Sequence, residues 1–216
     1  MANGERQHKN RIRTLKEANA EIARLRAEIS KQAGGKSLRE PIAIVGMGCR
    51  FPGNVSTPHD FWNLLNSGRD VLRDIPSDRW DIDEYYDPEV AVPGKIYVRR
   101  GYYLDDIDQF DPQFFGLSPR EAESLDPQQR LVMEVCWEAL EHAGIAPTSL
   151  KGEKTGVFVG QYWDDYSSQR IYCTDNREID RYAQLSALRG LTAGRICHIL
   201  DSHGPAIQLD TACSSS

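Results

Sequence analysis

The sequence predicts an α/β domain preceded by a basic helical appendage. Three observations predict it. Short apolar runs at Ile42–Val45, Val157–Val159 and Ala206–Leu209 each follow a Gly or a Pro and read as buried strands. Between them lie segments whose apolar residues fall three and four apart, the spacing of one helix face. Strands that alternate with helices in this way define the α/β class. The third observation is charge. Residues 1–40 hold 10 of the 26 Lys+Arg but only 5 of the 32 Asp+Glu, leaving 16 against 27 over residues 41–216. A basic segment therefore stands before an acidic body.

With 216 residues and 40% hydrophobic content the chain is long enough to bury a core. Its net charge of −6 argues against a nucleic-acid partner for the whole chain. No stretch approaches the roughly 18 apolar residues of a membrane span. The first residues lack the apolar centre of a signal peptide, which makes a cytoplasmic, reducing compartment the expectation. The five cysteines (Cys49, Cys136, Cys173, Cys197 and Cys213) are widely spaced and read as thiols. No metal site is expected: His198 and His203 are five apart with no third ligand type beside them.

Residues 8–32 carry a helical pattern. Leu15, Ala18, Ile22, Leu25 and Ile29 alternate at spacings of 3 and 4, an a/d seam, and Ile12 extends it upstream. A helix this short gains stability by pairing, so a dimeric coiled coil is expected, against a solvated tail as the bland alternative. Residues 33–40, opening on Ala33-Gly34-Gly35, read as a linker. Gly46 and Gly48 after the first run invite a dinucleotide-binding reading. The fingerprint needs a third glycine where Phe51 stands, so these glycines are expected to serve close packing instead.

Thr57-Pro58-His59-Asp60 has the cap, proline and acid of a helix start, with Phe61, Trp62, Leu64 and Leu65 as its buried face and Gly68 as its end. Residues 70–95 read as loop, in which Asp81 and Asp83 are solvated carboxylates. Lys95 to Leu104 alternates weakly, as in a hairpin. Ser118-Pro119-Arg120-Glu121 is a capping box. Asp126-Pro127 opens a longer helix with Leu131, Val132, Val135, Cys136, Ala139, Leu140 and Ala143 on its apolar face and Gly144 as its stop. Residues 161–181 read as a loop, and residues 182–200 return to helical spacing.

The last run ends in Asp210-Thr211-Ala212, small and polar residues suited to a tight exit from a sheet, and Cys213 follows. If the next residues open a helix, a thiolate there faces the positive end of a helix dipole. Cys213 is therefore either a nucleophile or a small buried apolar residue.

Several stretches together resemble the β-ketoacyl synthase domain of modular type I polyketide synthases. They are Ile44 to Gly53, Phe61 to Leu65, Ile75 to Trp80, Phe114 to Ala122, Leu125 to Arg130 and Asp210 to Ser216, in matching order across residues 41–216. The basic segment resembles the docking helix that often precedes such a synthase. The resemblance implies the N-terminal half of a thiolase-like αβαβα fold, preceded by the coiled coil, and a homodimer. It divides the chain into a docking helix over 1–32, a linker over 33–40 and synthase over 41–216.

It also makes Cys213 the acyl-accepting nucleophile, with its backbone N–H as an oxyanion donor. Substrates arrive on the phosphopantetheine of acyl carrier proteins, and no cofactor is held directly. The implied chemistry is decarboxylative condensation with a malonyl-type extender. An upstream synthase's C-terminal docking segment is an implied partner.

The family's two catalytic histidines follow the nucleophile in sequence. His142, His198 and His203 all precede Cys213 and match neither, so the catalytic histidines are expected to be absent from this chain. The expectation is a fragment without condensing activity that folds poorly alone. Two other readings remain: a non-catalytic docking or dimerisation segment, and a hydrolase built on Cys213.

Overall fold

The computed structural model describes residues 41–166 and 188–215, together with Arg24, Ser168 and Tyr182. The chain falls into two compact units, Met1–Ile44 and Val45–Ser216. In the first, Arg24 is helical and exposed, and residues 41–44 have no regular secondary structure. The coiled-coil and linker expectations lie otherwise outside the described residues.

The second unit opens on helix α1 (Pro58–Ser67), which begins and ends at the positions its cap and its glycine predict. The Thr57 hydroxyl accepts from the Asp60 N–H at 3.1 Å, and Gly68 closes the helix in the left-handed conformation. Its face differs from the expectation. Phe61 and Leu64, three apart, are half-buried, while Trp62 is 65% exposed and Leu65 also faces outward. One helix presents about a third of its surface to one neighbour, so four apolar residues over five positions cannot all be covered.

Strand β1 (Arg73–Asp74) pairs antiparallel with β2 (Arg100–Gly101), around a single helical turn, α2 (Ile82–Tyr85). The alternation over 95–104 thus finds its partner upstream rather than folding on itself. Helix α3 (Pro119–Ser124) uses half of the expected capping box. The Ser118 hydroxyl accepts from Glu121 N–H at 3.2 Å, but the Glu121 carboxylate turns to Arg195 at 2.8 Å.

Helix α4 (Pro127–His142) is capped by the buried Asp126 carboxylate, which accepts from Gln128 N–H at 2.8 Å. Its buried face runs through Gln129 and Met133, with Val132, Cys136 and Leu140 partly covered. Met133, absent from the expected face, is its most buried apolar residue. The opposite side meets the glycines after the first apolar run. A Cβ at Gly48 would sit 2.5 Å from the Val135 carbonyl, and one at Gly46 would overlap that of Ala139. The reading of these glycines as packing residues therefore holds.

Strand β3 (Val157–Gly160) pairs parallel with β4 (Ala206–Leu209), and helix α5 (Leu191–Leu200) crosses between them. This is a strand–helix–strand unit, as the alternation required. Leu125, Met133, Ile196 and Leu200 form the core against it. Three strand expectations need correction. Ile42–Val45 enters no sheet, and Ile42 is 96% exposed. β3 and β4 form as strands, as predicted, but are covered on one face only: Phe158 is 64% exposed, and Ile207 and Leu209 are exposed beside it. α5 covers one side of this pair, and no described element covers the other.

Candidate active site

Cys213 stands on a tight turn at the end of β4 and is exposed. The turn is built by short polar side chains. The Asp210 carboxylate accepts from Ala212 N–H at 3.2 Å. The Ser214 hydroxyl donates to the Thr211 carbonyl at 2.8 Å, and that of Ser215 donates to the Ala212 carbonyl at 2.8 Å. Ser215 Oγ also accepts from Thr211 N–H at 2.8 Å. Backbone N–H groups of Ser214 and Ser215 reach the carbonyls three residues back. Ala212 is held at φ 54°, a left-handed conformation that costs a non-glycine residue roughly 1–2 kcal/mol.

Two residues that the sequence reading did not single out shape this turn. Gly160 ends β3 beneath it, and a Cβ there would lie 2.5 Å from the Ser215 carbonyl oxygen. Arg189 donates to the Asp210 carboxylate at 2.8 Å and to the Tyr162 carbonyl at 2.6 Å. Behind them, Gln161 Oε1 accepts from the Thr192 hydroxyl at 2.8 Å and from Gln208 Nε2 at 3.0 Å, joining both strand ends to α5. Neither Gly160 nor Arg189 belongs to a local motif. Their roles depend on contacts with residues 55 and 21 positions away.

The other noted groups lie elsewhere. His142 Nδ1 accepts from Met47 N–H at 3.2 Å, and His203 Nε2 is 3.6 Å from the Asp201 carboxylate. His198 lines a cavity of about 400 Å³ with Phe114, Phe115, Trp137 and Arg195. The Asp81 carboxylate caps α2 by accepting from Asp83 N–H at 3.0 Å, and the Asp83 carboxylate lies 3.4 Å from Arg99. Cys49, Cys136 and Cys197 are free thiols, and burial pushes the Cys49 and Cys136 thiols up from their ordinary value. Cys173 lies outside the described residues. No described helix is long and apolar enough to cross a membrane.

The solved structures that align with this α/β unit are ketosynthase domains, which places its fold in the thiolase-like class. Residues 39–216 match the family described as β-ketoacyl synthase, N-terminal domain, and the chain belongs to that family.

Its relatives include a component of the phenolphthiocerol/phthiocerol polyketide synthase of Mycobacterium tuberculosis. That protein is 46% identical over 180 residues, which are 83% of this chain and 12% of the relative. The spectinabilin polyketide synthase system protein NorC of Streptomyces orinoci is 49% identical, over 82% of this chain and 8% of its own length. Among solved structures, an oxazolomycin ketosynthase domain of Streptomyces albus aligns with a TM-score of 0.71 at 38% identity, over 80% of this chain and 30% of that one. A bacillaene synthase ketosynthase of Bacillus subtilis aligns at 0.68 and 38% identity, over 81% of this chain and 27% of that one. The chain thus spans a small part of the curated relatives and under a third of these ketosynthase chains.

Proposed function

We propose that this chain is the N-terminal part of a ketosynthase that condenses acyl chains during polyketide assembly, with Cys213 as nucleophile. The observation that carries the reading is the exposed Cys213 thiol on a turn held above the end of a parallel strand pair. In the first step the thiolate attacks the thioester carbonyl of an acyl chain on a carrier protein's phosphopantetheine. A new C–S bond forms at Cys213, the carbonyl's bond to the pantetheine sulfur breaks, and that sulfur leaves as a thiolate. In the second, a malonyl-type extender loses carbon dioxide. Its carbanion attacks the acyl-Cys213 carbonyl, a C–C bond forms, and the Cys213 thiolate leaves. The chain grows by two backbone carbons. The Cys213 N–H is one donor for the oxyanion in each step.

The histidines that assist the second step belong, on this reading, to ketosynthase residues outside this chain. The chain alone therefore makes no ketoacyl product. The class is acyltransferase, the location cytoplasmic, and the working form a homodimer with the complete αβαβα layering. Residues 1–32 form a docking coiled coil for the C-terminal segment of an upstream synthase. Residues 33–40 are a linker, and 41–216 belong to the synthase domain. The a/d seam and the basic charge of residues 1–40 support the docking role.

The test uses the intact ketosynthase and a short acyl-pantetheine thioester. Wild type gains one acyl mass, and Cys213→Ala gains none. Stoichiometric acylation of the alanine variant would overturn the assignment.

A further inference from the structure

The residue that holds the turn lies outside the motif that forms it. We infer that Arg189 is a positioning residue for the Cys213 thiol, an inference that rests on Cys213 being the nucleophile.

Arg189 precedes α5, and its guanidinium meets the exits of both strands. After β3, it donates to the Tyr162 carbonyl at 2.6 Å, and its Nε lies 3.7 Å from the Asp164 carboxylate. At the end of β4, it donates to Asp210 Oδ2 at 2.8 Å. The other oxygen of that carboxylate, Oδ1, accepts from Ala212 N–H, next to the cysteine. Each Asp210 oxygen is thus committed, one to the guanidinium and one to the turn. A carboxylate bonded at both ends cannot rotate, so Arg189 fixes the direction from which Asp210 holds Ala212 in its left-handed conformation.

Arg189 is itself held: its carbonyl accepts from Thr192 N–H at 3.0 Å. Both hydrogen bonds come from Nη1, whose two hydrogens the planar guanidinium holds in fixed directions, while Nε faces Asp164. A lysine ammonium has donors enough for the carbonyl and the carboxylate, but they rotate and it has no second nitrogen for Asp164.

The Arg189 and Asp210 side chains are 38% and 37% exposed, so their attraction is largely screened and adds little to stability. The role is therefore geometric. Displacing a reacting atom by about 1 Å costs up to roughly 100-fold in rate.

The experiment is single-turnover acylation of the intact ketosynthase by an acyl-pantetheine thioester, with the melting temperature of each variant. Arg189→Gln is expected to lower the maximal acylation rate roughly 10- to 100-fold at an unchanged half-saturating concentration, with little change in melting temperature. Arg189→Lys recovers part of that rate. Asp210→Asn loses a comparable amount, and the double variant is no slower than the slower single, because both changes cut one linkage.

A maximal rate equal to wild type in R189Q, or one reduced only in proportion to the folded fraction, would overturn the inference. If R189Q does not fold, R189K carries the test, and a full wild-type rate in it is equally fatal. Cys213→Ala separates the two levels. Acylation surviving in C213A removes the nucleophile assignment, whereas loss in C213A with a normal rate in R189Q removes only the role of Arg189.

Discussion

The two faces of the β3–β4 pair are unlike each other. On one, α5 lays Ile196 and Leu200 against the core, with Leu125 and Met133 completing a closed cluster. On the other, Phe158, Ile207 and Leu209 stand exposed. The same two strands supply both faces, and both carry apolar residues. The difference teaches that residue type sets what a strand can bury, while covering elements decide what it does bury. Here the crossover helix between the two strands closes one side, and no described element closes the other.

Four substitutions break or sharpen that contrast. The largest effect belongs to the closed side. Leu125 is fully buried, and Leu125→Ala should cost about 2–5 kcal/mol by lost burial and a residual cavity. A lowered urea midpoint at unchanged slope is the check. Gly160→Ala comes next. Its methyl would meet the Ser215 carbonyl at 2.5 Å, so turn or strand must shift, at about 1–3 kcal/mol. The same variant should slow alkylation of Cys213, measured by mass spectrometry.

Asp126→Asn reads the polar edge of the closed side through pH. Burial pushes the Asp126 carboxyl above its ordinary value, so the fold holds that proton more tightly than the unfolded chain does. Ionised Asp126 therefore costs stability at neutral pH, and the cost vanishes as pH falls below the unfolded value. Asparagine keeps a capping oxygen without the charge. The variant should be the more stable protein at pH 7, with its advantage shrinking toward zero near pH 3, as unfolding curves at both values would reveal. The smallest effect belongs to the open side: Phe158→Ala should change the stability of this chain by less than about 0.5 kcal/mol. In an intact ketosynthase a covered Phe158 would make the same change cost several times more.

Much of the fold was legible where the governing interaction is local. Thr57, Ser118 and Asp126 all cap the helices they were expected to start, because a cap acts within three residues. The α5 crossover followed from the order of apolar runs. Ile42–Val45 misled because an apolar β-branched run says what would suit a sheet interior without supplying the neighbour. The hairpin expected over 95–104 misled for the same reason: alternation marks a strand and is silent about its partner. At the site, the turn around Cys213 was legible from its small polar residues. Arg189 and Gly160 were not, since an arginine in a polar stretch and a glycine after an apolar run carry no local sign of what they touch.

The serines beside the thiol have a consequence for chemoselectivity. Ser214 and Ser215 each spend their hydroxyl proton on a backbone carbonyl of the turn. An electrophile arriving at residues 211–215 therefore meets hydroxyls already engaged in maintaining the backbone, beside the exposed sulfur of Cys213. Acylating one of these serines would unmake the turn that presents it. The segment is rich in potential oxygen nucleophiles, yet two of its hydroxyls are tied into the turn while the Cys213 Sγ stands exposed.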